Sequence, residues 1–230
     1  MWLFAATIWV GFVLTVTGQP EPGSGTSGSL DPGKVDVLLT VSEGIHYLLG
    51  PFGATTIVLV ICVYLLLLKR RPVQSLAFAS IVVVGWVAST LAKVLVARPR
   101  PATASTNGFI TETGNNSFPS GHTAFAAALV LAVALVLCRS TVEQVTALGV
   151  GGLFVGCVAF SRVYLGLHYV SDVVASLAVV IAATMAWIPL WNVVIAPRLP
   201  APPPVVPAAR RTGAARPGST KRALRTPPGL

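Results

Sequence analysis

From Pro51 to Leu68 the chain carries no charged residue, and from Ser75 to Ala97 it carries only Lys93. Runs of this length cross a hydrocarbon core of ~30 Å as helices, because a helix satisfies its own backbone hydrogen bonds where water is absent. Four further apolar runs, Met1–Thr17, Thr123–Cys138, Val145–Phe160 and Val173–Ile195, continue the pattern. The predicted fold class is therefore all-α: a polytopic membrane protein with six transmembrane helices at about 1–17, 51–68, 75–97, 123–138, 145–160 and 173–195. Two of these are short enough that they must extend into their polar flanks to cross.

Composition agrees. The 230 residues are 54% hydrophobic and 10% charged, against roughly 25% charged in soluble domains. The net charge of +9 does not indicate nucleic acid, since much of it sits in the last thirty or so residues and beside apolar runs; anionic lipid headgroups and membrane orientation explain it better. Cys62, Cys138 and Cys157 all fall inside apolar runs, where they read as small buried hydrophobes and not as a disulfide framework or metal cluster.

The first run lacks a basic flank and a small-x-small cleavage site, so it reads as an uncleaved anchor. A Gly/Pro/Ser-rich loop follows from Gly18 to Lys34. Between Val35 and Leu49, apolar residues recur at helical spacing among Asp36, Ser42, Glu43 and His46, which predicts a short amphipathic helix on the membrane surface in the first outer loop. His46 stands alone there and reads as structural or solvated. In the fifth run Gly152 and Gly156 form a small-xxx-small face suited to close helix packing.

Lys69–Arg71, Arg139 and the tail cations from Arg198 to Arg225 belong on the cytoplasmic side by the positive-inside rule. Both termini are then inside, and the loops from Arg98 to His122 and from Ser161 to Ser171 are outside. Residues 1–196 read as the membrane domain. Residues 197–230, rich in Pro, Ala and Arg and without an acidic residue, read as a disordered basic tail attracted to anionic inner-leaflet lipids.

Three segments place expensive polar groups at the outer surface. Lys93-Val-Leu-Val-Ala-Arg98-Pro99-Arg100-Pro101 puts three cations at a helix end stopped by prolines. Phe118-Pro119-Ser120-Gly121-His122 leads into the fourth span, offering a hydroxyl and backbone N–H groups at a helix N-terminus. In Ser161-Arg162-Val-Tyr-Leu-Gly-Leu-His168-Tyr-Val-Ser-Asp172, His168 and Asp172 lie four positions apart. A helical turn there lets the carboxylate hold one ring nitrogen and aim the other outward, as for a nucleophile or base. Cations, N–H donors and two histidines are the parts phosphoryl transfer needs. No Asp/Glu cluster accompanies them that would hold Mg²⁺, so neither metal nor cofactor is expected.

Lys93-x6-Arg100-Pro101, Pro119-Ser120-Gly121-His122 and Ser161-Arg162-x5-His168-x3-Asp172 together resemble, in full and in order, the three signature motifs of the type 2 phosphatidic acid phosphatase superfamily. The resemblance covers about Val35 to Ile195. It implies that His168 is a nucleophile forming a phosphohistidine, oriented by Asp172; that His122 protonates the leaving oxygen and then activates water; and that Lys93, Arg100, Arg162, Ser120 and the Gly121 N–H hold the phosphoryl oxygens. Arg98 has no motif role and reads as a snorkelling or headgroup contact, while Phe118, Tyr164 and Tyr169 read as interfacial or packing aromatics. The implied activity is metal-independent hydrolysis of a membrane lipid phosphate or diphosphate: polyprenyl diphosphate first, such as undecaprenyl diphosphate, then phosphatidic acid or phosphatidylglycerol phosphate. Alternatives are a phospho- or headgroup transferase of the same superfamily and a non-catalytic lipid-phosphate transporter or scaffold. Vanadate-dependent haloperoxidases share the motifs but are soluble.

Overall fold

The computed structural model describes residues 2–18, 37–101 and 116–199. The expectations for the Gly-rich loop, for Val35 and Asp36 and for the tail lie outside the described residues. Seven helices make up the described chain: α1 (Trp2–Thr17), α2 (Val37–Leu49), α3 (Pro51–Leu68), α4 (Pro72–Val96), α5 (Gly121–Leu137), α6 (Thr141–Tyr164) and α7 (Val170–Arg198). The last turns of α3 and α5 widen into π geometry, and α7 does so at Trp191–Ile195. The described residues hold no strand, and only an isolated bridge joins Pro99 to Asn116. α3, α4, α6 and α7 are long and apolar enough to cross a membrane, while α1, α2 and α5 are shorter apolar helices.

Local chemistry sets the boundaries. Pro51 and Pro72 open α3 and α4 at the position where a missing N–H costs nothing. Ser140 caps α6: its Oγ accepts from the Glu143 N–H at 3.2 Å while the Glu143 carboxylate accepts from the Ser140 N–H at 3.4 Å. That cap starts α6 at Thr141, four residues before the apolar run at 145–160, and the helix continues past the run to Tyr164. α4 stops at Ala97, whose left-handed φ of 49° lets its N–H donate to the Lys93 carbonyl before the proline pair begins.

α4, α5 and α7 form the centre, with α3 against α4, α6 against α5, α1 against α4 and α7, and α2 against α3, α5 and α6. Close approach depends on small residues. α5 buries Ala124, Ala126, Ala127, Ala128 and Ala132, and a Cβ on Gly85 of α4 would lie 2.9 Å from Ala128 Cβ and 3.3 Å from Val180 Cγ1. In α6 the packing glycine is Gly151, whose missing Cβ makes room for Val130. Gly152 and Gly156 face open space, which corrects the expected small-xxx-small face: the contact with α5 falls on the adjacent strip of the helix. Cys157 is exposed on the same helix, so of the three free cysteines only Cys62 and Cys138 are even partly buried.

The outward surfaces of these helices are apolar, including Leu59, Leu67, Leu91, Leu153 and Val174, as a lipid-facing surface requires. α1 buries Thr7 and Gly11. A Cβ on Gly11 would lie 2.6 Å from the ring of Phe118, and Phe118 is fully buried, so this aromatic packs under α1. Replacing Gly11 with valine forces that ring aside. The expected loss is about 1–3 kcal/mol, read as a lower midpoint of thermal unfolding in detergent.

Candidate active site

The ends of α4 and α6 and the starts of α3, α5 and α7 meet at one end of the bundle, where a cavity of about 510 Å³ opens. Lys93, Arg100, Gly121, His122 and His168 line it. Three motifs distant in sequence therefore share one site.

Asp172 organises the base of the cavity. It occupies the first turn of α7 and is fully buried. Its Oδ2 accepts from the Tyr169 N–H at 3.0 Å and lies 3.5 Å from His168 Nδ1. Its Oδ1 accepts from Arg98 Nη1 at 3.0 Å, and the same nitrogen donates to Ser171 Oγ at 2.7 Å. The Arg98 guanidinium also lies over the Tyr169 ring, 4.0 Å from its centroid. Arg98 is thus a buried partner of the central carboxylate and not a snorkelling or headgroup contact. The sequence signal for it was a third cation beside the two motif cations, which contained nothing to say which way it turned.

His168 is 3% exposed. On its Nε2 side stands Arg100, whose Nη1 is 3.4 Å away and also donates to the Leu167 carbonyl at 2.9 Å. A guanidinium can only donate, so Nε2 carries the lone pair and the ring proton sits on Nδ1, toward Asp172. Burial pushes the imidazole down from its ordinary 6.5 to about 4, with Lys93 and Arg100 acting in the same direction and the Asp172 contact acting against them. The result is a neutral ring presenting a lone pair to a cavity lined by cations.

The loop after α4 is tied back to the loop before α5. Lys93 Nζ donates to the carbonyls of Asn116 at 3.0 Å and Ser117 at 3.4 Å, and the Ser117 N–H donates to the Arg98 carbonyl at 2.7 Å. Ser176 Oγ lies 2.9 Å from the Ser120 carbonyl and 2.8 Å from that of Asp172, joining the starts of α5 and α7.

Two expected phosphate contacts, Ser120 and Arg162, are enclosed by neighbouring side chains. Ser120 is fully buried and its Oγ accepts from Thr123 Oγ1 at 3.2 Å, so its hydroxyl faces the helix interior. Arg162 is also fully buried, and its Nη1 donates to His46 Nδ1 at 2.9 Å. His46 is therefore neither isolated nor solvated. It lines the cavity, stacks on His122 with ring centroids 5.1 Å apart, and accepts from His122 Nε2 through its backbone carbonyl at 3.0 Å. The tight corner after α2 makes this possible: Gly53 has the Leu48 carbonyl where a side chain would begin, so α2 folds back over the site.

A buried carboxylate beside a neutral histidine, a second histidine and a cluster of cations thus converge at one end of the helical bundle. The family model of the PAP2 superfamily matches residues 73–195, and the chain belongs to this superfamily, that of the type 2 phosphatidic acid phosphatases. Its fold is similar to the crystal structure of the first transmembrane PAP2 type phosphatidylglycerolphosphate phosphatase from Bacillus subtilis, with a TM-score of 0.63 at 18% identity, over 84% of this chain and 97% of that one. A comparison with curated proteins finds no match.

Two outcomes test this geometry. Replacing Arg98 with methionine leaves Asp172 buried without its ion-pair partner, and the expected loss is about 3–5 kcal/mol, measured by unfolding in detergent. His168 has a lower proton affinity in the folded chain than its ordinary 6.5. Its contribution to stability is thus full above about pH 6.5 and lost as pH falls toward about 4. Wild-type protein should therefore lose more thermal stability across that interval than His168→Asn, which cannot titrate.

Proposed function

We propose that this protein is a lipid phosphatase that releases phosphate from a membrane lipid phosphate or diphosphate through a phosphohistidine. The observation that carries the reading is the setting of His168: its Nε2 lies 3.4 Å from Arg100 Nη1, its Nδ1 lies 3.5 Å from Asp172 Oδ2, and the cavity in front holds Lys93, Arg100 and His122. Nε2 attacks phosphorus, the Nε2–P bond forms, and the P–O bond to the lipid breaks. His122 gives its proton to the departing oxygen. Water then attacks phosphorus, passing a proton to His122, and the P–N bond breaks with its electron pair returning to Nε2. Lys93 and Arg100 neutralise the equatorial oxygens, assisted by the Gly121 N–H at the start of α5.

The substrate class follows from the surroundings. Beside the polar groups, Leu49, Phe52 and Trp86 line the same cavity, suiting a phosphate that arrives attached to an apolar chain. Polyprenyl diphosphate, phosphatidic acid and phosphatidylglycerol phosphate all have this form, and the Bacillus subtilis protein with the similar fold is a phosphatidylglycerolphosphate phosphatase. In the membrane, α1 and α3 to α7 supply six crossings and α2 lies at the surface. Lys69–Arg71, Arg139 and Arg198 sit at the helix ends opposite the site, which supports a cytoplasmic position for them, an extracytoplasmic active site and cytoplasmic termini. The basic tail then faces anionic inner-leaflet lipids.

Purified protein in detergent should release phosphate from at least one of these three lipids, and His168→Ala should lower that release at least about 1,000-fold, as expected when the attacking atom is removed. Release by His168→Ala at the wild-type rate would rule out the proposed nucleophile.

A further inference from the structure

His46 lies outside all three motifs and yet touches two motif residues. Its Nδ1 accepts from Arg162, its ring stacks on that of His122 with planes 22° apart, and its carbonyl accepts from His122 Nε2. Because a guanidinium only donates, Nδ1 is unprotonated and His46 meets Arg162 as a neutral imidazole. This differs from the arrangement at Arg98, which faces the carboxylate of Asp172. A neutral imidazole that accepts from a guanidinium fixes the direction of its planar fork without adding charge of its own. The carbonyl contact has an equally simple origin: His46 is in the last turn of α2, where helix carbonyls lack intrahelical donors and accept from outside.

We propose that His46 is a positioning residue of the phosphoryl site: its imidazole sets Arg162 and its carbonyl sets His122, so that α2 completes the site from above. The inference rests on the lipid-phosphatase reading and deepens it, by assigning part of the phosphoryl-binding geometry to a helix outside the motif-bearing segments. It also gives the closed α2–α3 corner a purpose. The corner at Gly50 and Gly53 brings His46 onto the cavity, and the same turn carries Leu49 and Phe52 to its apolar side. Headgroup and chain contacts are thereby built into one short segment.

The test compares His46→Asn with His46→Phe in full-length protein. Asparagine places an acceptor oxygen near the position of Nδ1, and phenylalanine keeps the stacked ring but no acceptor; both retain the backbone carbonyl. Thermal unfolding without ligand establishes that each variant folds. Two readouts follow: the rise in unfolding midpoint with inorganic phosphate, which reports its Kd, and phosphate release from the lipid panel. For His46→Phe the expected result is a phosphate Kd raised at least tenfold and kcat/KM lowered about 100-fold, the scale of a misplaced binding group. His46→Asn should recover most of both losses. A purely structural role predicts the reverse order, with His46→Phe close to wild type, and that result overturns the proposal. If wild type binds phosphate but hydrolyses no lipid in the panel, the proposed function fails and the binding arm alone decides His46. If phosphate does not stabilise wild type, the positioning role is overturned whatever the lipid result.

Discussion

The buried ion pair between Arg98 and Asp172 is the interaction on which the site depends. An ionised carboxylate removed from water is tolerated only when its oxygens are occupied by charge-compensating and hydrogen-bonding partners. Here Oδ1 is held by Arg98, and Oδ2 by the Tyr169 N–H with His168 alongside. The carbonyl of Asp172 accepts from the Ser120 N–H at 3.3 Å and from Ser176. Asp172 thus ties the segment after α4 to the turn between α6 and α7 through its carboxylate, and the start of α5 through its backbone carbonyl. The geometry around His168 is a by-product of meeting that requirement.

The neutral state of His168 follows from the same economy of charge. Cations stand close to it, and burial already disfavours a further positive charge. Asp172 is occupied by Arg98, so its remaining influence orients the ring without protonating it. Charges of the same sign thereby serve different ends: Arg98 neutralises the carboxylate, while Arg100 and Lys93 remain on the cavity wall.

Small residues make this possible in a chain whose outer faces are apolar. The alanines of α5 and Gly85 of α4 allow the three central helices to come within backbone distance, which fixes the spacing of the helix ends that carry the polar groups. Gly11 lets α1 close over Phe118, next to the turn that begins α5. The supports of the site are packed helices whose ends are tied together by side-chain hydrogen bonds.

Much of this was legible in the chain itself. Apolar runs too long for an ordinary core specified helices, since no other structure satisfies an isolated backbone in hydrocarbon. The prolines after Lys93, the Ser120-Gly121 entry into α5 and the spacing of His168 and Asp172 each encode a local geometry, and the ordered motifs identified the superfamily. What only the tertiary structure decided were contacts between segments far apart in sequence. Arg98 and Asp172 are separated by 74 positions, and His46 and Arg162 by 116. Nothing local distinguishes a cation that turns inward to a carboxylate from one that reaches a headgroup, or a histidine on an amphipathic helix that meets solvent from one that meets a guanidinium. Likewise, the periodicity of α6 offered several glycines, and only the position of Val130 on α5 selected Gly151. Local propensity is written in neighbouring residues; the partner of a buried charge is set by which helices pack and at what rotation.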